Sequence, residues 1–145
     1  GPKAPSKPSR QKQFPSSEKL PEVGDPVHLI LDVQKISGKT QEEVEALLGR
    51  STVSEVSEYG AKKSYKNGGV EIVFIEGKAD WITINGLDEI PFSPNAIESL
   101  GLESSRPSFA SDFVLRWVNT AGLKHAAIFK GRENCSYAYI KVSTE

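Results

Sequence analysis

Methionine is absent from the 145 residues, cysteine occurs once and histidine twice. A single thiol, Cys135, cannot supply an intramolecular disulfide, a zinc ribbon or a CxxC redox pair. Adding His28 and His125 still leaves too few ligands for Cys/His metal chemistry. No apolar run exceeds the four residues Ile72-Val73-Phe74-Ile75, whereas a bilayer-spanning helix needs about 20. Charge excess is lacking too: 18 Lys and Arg against 19 Asp and Glu leave a net charge of −1, which disfavours a strongly basic nucleic-acid binder. The length suits one domain, or two very small halves sharing a core, plus a tail.

Proline is scarce in the body of the chain but dense at its start. Six of nine prolines (Pro2, Pro5, Pro8, Pro15, Pro21 and Pro26) precede residue 27, and none follows until Pro91. Phe14 and Leu20 are the only sizeable apolar groups there, so residues 1–25 read as a disordered Pro/Ser/Lys-rich linker that cannot offset its chain entropy by burial. Residues 26–145 read as a single domain. Gly1-Pro2 in place of an initiator Met reads as a trimmed N-terminus, with an anchor as one candidate for what was removed. Such a spacer suits a lipoprotein or single-span membrane protein, and equally the join between two soluble domains.

What is present is an internal repeat. Thr40 to Gly49 reads as a short helix: Thr40 and Glu43 form a capping box, Val44, Leu47 and Leu48 share a face, and Gly49 stops it. Ser93 to Gly101 repeats the grammar, with Ser93 as cap, Pro94 first in the helix, Ile97 and Leu100 on one face and Gly101 as stop. Neither helix is long enough to stand alone. Three β-like runs follow each: 61–66, 70–76 and 79–85, then 113–119, 123–130 and 135–143, parted by Gly-containing turns. Tyr65 matches Trp117, Gly69-Val70 matches Gly122-Leu123, and Trp81-Ile82-Thr83-Ile84 matches Tyr137-Ala138-Tyr139-Ile140. Repeat one spans about 27–90 and repeat two about 91–145. Residues 27–36 fit a strand or a short helix, the helix being favoured. The expected fold is α+β, an antiparallel sheet of about six strands with helices on one face.

The stretch Gly38-Lys39-Thr40-Gln41-Glu42-Glu43-Val44, closing on Leu47-Leu48-Gly49, resembles the GxTxxEVxxxLG signature of the SmpA/OmlA (BamE) lipoproteins. Doubling such a unit is similar to the tandem architecture of the β-lactamase inhibitor proteins, whose strands make one curved sheet. The resemblance implies a bacterial envelope protein, periplasmic or extracytoplasmic rather than cytoplasmic. The chain departs from the pattern at Arg50-Ser51, where the lipoproteins often carry Pro, and at Lys39, where they often carry Met. It also lacks the disulfides of the inhibitors.

The search for chemistry finds no nucleophile with a base beside it. His28 lies at the domain edge, His125 lies inside a predicted strand, and Cys135 reads as a small buried thiol. Glu42, Glu43 and Glu45 form a solvated run on a helix. The Gly-rich turns lack the strand and helix that a phosphate cradle requires. Lys62, Lys63 and Lys66 read as guards on an edge strand. No catalytic, metal or cofactor residue is assigned, and the expectation is a non-enzyme. Alternation supplies the one specific candidate. Ile82, Ile84, Ala138 and Ile140 fall on a side suited to lie under helices, whereas Trp81, Thr83, Tyr137, Tyr139 and Lys141 fall on the other, with Arg116 nearby. Phe113, Leu115 and Trp117 read as a core row. The expected function is a non-catalytic protein-binding or scaffold domain that docks another protein on this exposed face. A structural spacer, an inhibitor or immunity-type protein and a small-ligand or hydrolytic domain are the alternatives.

Overall fold

The computed structural model describes residues 27–58 and 60–142; the linker assigned to 1–25 lies outside them. The described chain is dominated by a single eight-stranded antiparallel sheet. Its strands are β1 (Val53–Ser57), β2 (Gly60–Tyr65), β3 (Val70–Ile75), β4 (Lys78–Ile84), β5 (Phe109–Ala110), β6 (Val114–Thr120), β7 (Leu123–Lys130) and β8 (Cys135–Val142). Apart from single 3-10 turns, only two short helices accompany it, α1 (Gln41–Leu48) and a 3-10 helix over Pro94–Leu100. The expected α+β fold of about six strands is thus corrected to a sheet-dominated one. Two strands escaped the sequence for physical reasons. β1 is an edge strand exposed along nearly its whole length, so its residues carry no alternation, and β5 is two residues long.

Local sequence accounts for the helices. The Thr40 hydroxyl accepts from the Glu43 amide at 3.2 Å and the Glu43 carboxylate accepts from the Thr40 amide at 3.0 Å, completing the capping box. Val44 and Leu48 are buried whereas Leu47 is exposed. In the second copy the Ser93 side chain makes no capping bond, contrary to expectation, and the segment is 3-10 rather than α. The Ser99 carbonyl accepts from the Ile30 and Leu31 amides at 2.8 and 3.1 Å. Its acceptor capacity is thereby turned outward to the incoming chain. Gly101 ends the helix at φ +80°, and a Cβ there would lie 2.7 Å from the Asp32 carboxylate, so only glycine fits. Residues 27–36 form neither a strand nor a full helix; one 3-10 turn, Val33–Lys35, is all that forms.

The strand order β1-β2-β3-β4-β8-β7-β6-β5 joins two four-stranded meanders through their last strands. At the joint Thr83 faces Tyr139, with Ile82 opposite Ile140 and Ile84 opposite Ala138. Thr83 and Tyr139 are corresponding positions of the two copies, so the pairing relates the meanders by an approximate two-fold axis through that pair. One row across the sheet reads Tyr65, Val70, Ile84, Ala138, Ile128, Leu115, and its symmetry mate reads Trp117, Ala126, Ile140, Ile82, Ile72, Lys63. Tyr65 and Trp117 therefore correspond, but the match of Val70 with Leu123 does not hold. Val70 occupies the place of Ala126, because the β6–β7 hairpin extends to the Thr120–Leu123 pair.

Apart from Lys63, these rows belong to one core with Val44 and Leu48 of α1 and Ala96, Ile97 and Leu100 of the 3-10 helix. Tyr65 is fully buried in it, and its hydroxyl has no hydrogen-bond partner. Burial, reinforced by the Glu45 carboxylate, pushes the phenol from its ordinary 10 up to about 12. The unfolded chain releases this proton first, so the stability involved is complete below pH 10 and is lost as pH rises through about 12. Tyr65→Phe should therefore raise stability at neutral pH by about 1 kcal/mol, because it removes an unpaired buried hydroxyl. It should also flatten the alkaline fall in urea midpoint, which a denaturation series from neutral pH into the alkaline limb would read.

Candidate functional site

The side of the sheet turned away from the helices carries the candidate residues. Antiparallel register places Glu71, Thr83, Tyr139, Ala127, Arg116 and Phe109 in one row across it. The next row reads Glu55, Lys62, Val73, Trp81, Lys141, His125, Val118. The aliphatic set Ile82, Ile84, Ala138 and Ile140 is wholly buried on the opposite side. Trp81, Thr83, Tyr139 and Lys141 are brought together at the joint between the meanders. The Trp81 and Tyr139 rings meet edge to face with centroids 5.8 Å apart. Tyr137 lies one pair farther along β8 and stacks on Phe129 at 4.6 Å. Arg116 is two strands away from Tyr139, its guanidinium 5.7 Å from the Phe109 ring. All six predicted residues thus share a face, in a central group of four with Tyr137 and Arg116 flanking it.

A β-bulge shapes the centre. Val73 faces Trp81 but Phe74 faces Ala79, which leaves Asp80 as the extra residue of β4. Strict alternation would send Asp80 inward with Ile82 and Ile84. The bulge instead lets its fully buried carboxylate pair with the Lys141 ammonium. Lys141 in turn lies 5.4 Å from the Trp81 ring. Backbone bonds from Gly38 to the Ala79 carbonyl, 2.9 Å, and from Ala79 to the Lys39 carbonyl, 2.8 Å, hold the start of β4 where β8 no longer reaches. At the far end of the β1–β2 hairpin, Gly60 has φ +153°, and a Cβ would stand 2.0 Å from the Phe74 carbonyl oxygen.

Asp80, Phe129 and Phe109, which are not candidates in the sequence, belong to this face, and so does His125, which the sequence places inside a strand. An aspartate at an inward position of an otherwise apolar strand was the available signal for Asp80, since a buried charge requires a partner. His125 packs against Tyr139 with ring centroids 6.1 Å apart. Burial, and then the Arg116 charge, holds this imidazole below its ordinary range. Burial and the Asp80 carboxylate raise the Tyr139 phenol.

Other residues fall elsewhere than expected. Phe113 is 72% exposed and leaves the core row, because it sits in the β5–β6 turn ahead of β6, whereas Leu115 and Trp117 are buried. Lys62 and Lys63 are not on an edge; β1 covers β2, setting Lys62 opposite Glu55. Lys62 also approaches Glu71 to 3.8 Å on its other side. Cys135 is buried, and burial pushes its thiol up to about 11, a poor setting for a nucleophile. His28 is exposed at the start of the described chain.

No protein-family model, curated protein or solved structure matches this chain. Among the described residues no group of three or more His, Cys, Asp and Glu side chains could hold a metal ion, and no helix is long and apolar enough to cross a membrane. What the open face offers is contact area: amphipathic rings with charged groups interleaved, on a backbone fixed by paired strands.

Proposed function

We propose that this chain is a non-catalytic protein-binding domain that docks a partner on the open sheet face, through Trp81, Thr83, Tyr137, Tyr139, Lys141 and Arg116. The observation that carries the reading is the continuity of rings across the joint of the two meanders. Trp81 meets Tyr139, Tyr139 meets His125, and Tyr137 stacks on Phe129 beside them. Aromatic side chains with arginine form the anchors of protein interfaces, because they bury large areas at small entropic cost. The strands beneath fix these anchors before a partner arrives, which lowers the cost of ordering them. A bacterial envelope scaffold, in line with the SmpA/OmlA-like signature, is the setting this reading suggests.

The test compares the chain with a Trp81→Ala, Tyr137→Ala, Tyr139→Ala variant whose fold is verified by circular dichroism. A partner held by the first and weakened at least tenfold with the second supports the reading, since each lost anchor removes about 1 to 2 kcal/mol. Equal retention of the partner places the contact on another surface and overturns it.

A further inference from the structure

On the open face the charges of the first meander and of the joint are matched. Lys62 has Glu55 opposite it and Glu71 3.8 Å away, and Lys141 is taken by Asp80. Arg116 is different. Among the described residues its guanidinium has no carboxylate partner, and its Nε is buried without a hydrogen-bond acceptor. A desolvated charged donor left unpaired is costly, and such a group calls for a reason. Its neighbours on the open face are mostly aromatic. Ala127, itself fully covered, lies between Arg116 on β6 and Tyr139 on β8, with His125 and Phe129 on β7 to either side. Phe109 packs on the guanidinium and Val118 continues β6 beyond it.

We propose that the Arg116, His125 and Tyr139 region receives the carboxylate of an aspartate or glutamate side chain presented by the docked partner protein. This deepens the docking reading above and rests on it. Charge complementarity selects the occupant. A single uncompensated guanidinium matches a single negative charge, whereas a phosphate dianion would draw on a second cation that Asp80 already holds. The exposed apolar side chains Phe109 and Val118, with Phe129 nearby, offer a partner's backbone area to pack on. The charged groups that face His125 are Arg116 from β6 and Lys141 from β8. Burial first, and then the Arg116 charge, lowers the affinity of the imidazole for its proton.

The test is an NMR titration of the full chain with N-acetylglutamate α-amide, whose only charge is the side-chain carboxylate. N-acetylglutamine α-amide is the control and inorganic phosphate the rival anion. Concentrations up to roughly 100 mM cover the Kd of a single charge-assisted contact. The expected result is a saturable shift of the Arg116 Nε–Hε resonance with the glutamate probe and not the glutamine probe. The His125 midpoint should rise with it, since a bound anion offsets the Arg116 charge. Arg116→Gln should abolish the response. Arg116→Lys, which keeps the charge but lacks Nε, should keep the His125 midpoint low and weaken the probe several-fold. No saturable shift, a response to phosphate with none to glutamate, or a response that survives Arg116→Gln would overturn the inference. If the carboxylate arm fails while the triple aromatic variant still loses its partner, this inference falls and the docking face stands. If the triple variant keeps its partner, the docking reading itself falls.

Discussion

Replacement of Lys141 by methionine is expected to destabilise the domain by about 3 to 5 kcal/mol, the range for stripping a buried charge of its partner. Methionine keeps most of the lysine stem and its packing, so the loss isolates the ammonium. What decides the size is the burial of the carboxylate. The Asp80 side chain is 0% exposed whereas that of Lys141 is 23% exposed. An exposed pair would be worth at most about 1 kcal/mol. The asymmetry makes a second expectation: Asp80→Asn should cost less than Lys141→Met, because a freed lysine can extend to water and an aspartate held in the bulge cannot. The double variant Asp80→Asn, Lys141→Met should recover most of what Lys141→Met loses. Urea denaturation of all four proteins forms the cycle that separates pair coupling from lost packing. A loss below about 1 kcal/mol for Lys141→Met would mean that the ammonium contributes no more than an exposed pair does.

This bulge also marks where sequence reading stops. Period-two alternation placed Ile82, Ile84, Ala138 and Ile140 on the buried side and Trp81, Thr83, Tyr137 and Tyr139 on the other, and the register bears out that division. It holds because one face is packed against helices, so a slip by one residue would bury Thr83 and Tyr139 in place of isoleucines. Where packing does not select a face, the signal fades. β1 has nearly every side chain in solvent and β5 is only two residues long, so the sequence pattern shows about six strands and overweights the helices. The bulge at Asp80 was illegible for another reason. It moves one residue out of the period, and the lysine that compensates it lies 61 positions away. His125 and Phe129 carry no face assignment in the sequence because β7 has Ala126, Ala127 and Ile128 buried in succession, which blurs the alternation that would assign their side.

The repeat explains why the second large effect is expected at Trp117. Its counterpart across the approximate two-fold is Tyr65, and both are buried to within 1%, yet their polar atoms fare differently. The Tyr65 hydroxyl is unpaired, whereas the Trp117 indole donates to the Ser105 carbonyl at 3.1 Å. That bond ties β6 to the segment following the 3-10 helix. Trp117→Ala should therefore cost about 4 kcal/mol, from lost transfer energy and a cavity that paired strands cannot close. Against a total of about 5 to 15 kcal/mol for a domain, this is a large fraction. Trp117→Phe fills most of the space but leaves the carbonyl without its donor, and should cost about 1 to 3 kcal/mol. Only two tryptophans are present, so Trp117→Phe leaves Trp81 as the single indole, reporting the open face. Trp81→Phe leaves the buried one. Urea unfolding followed by fluorescence should then show a smaller red shift in the first protein, whose indole is only partly buried, than in the second, whose indole is 1% exposed. A similar red shift in both would place Trp81 in the core and overturn the division of the sheet into a helix-covered side and an open one.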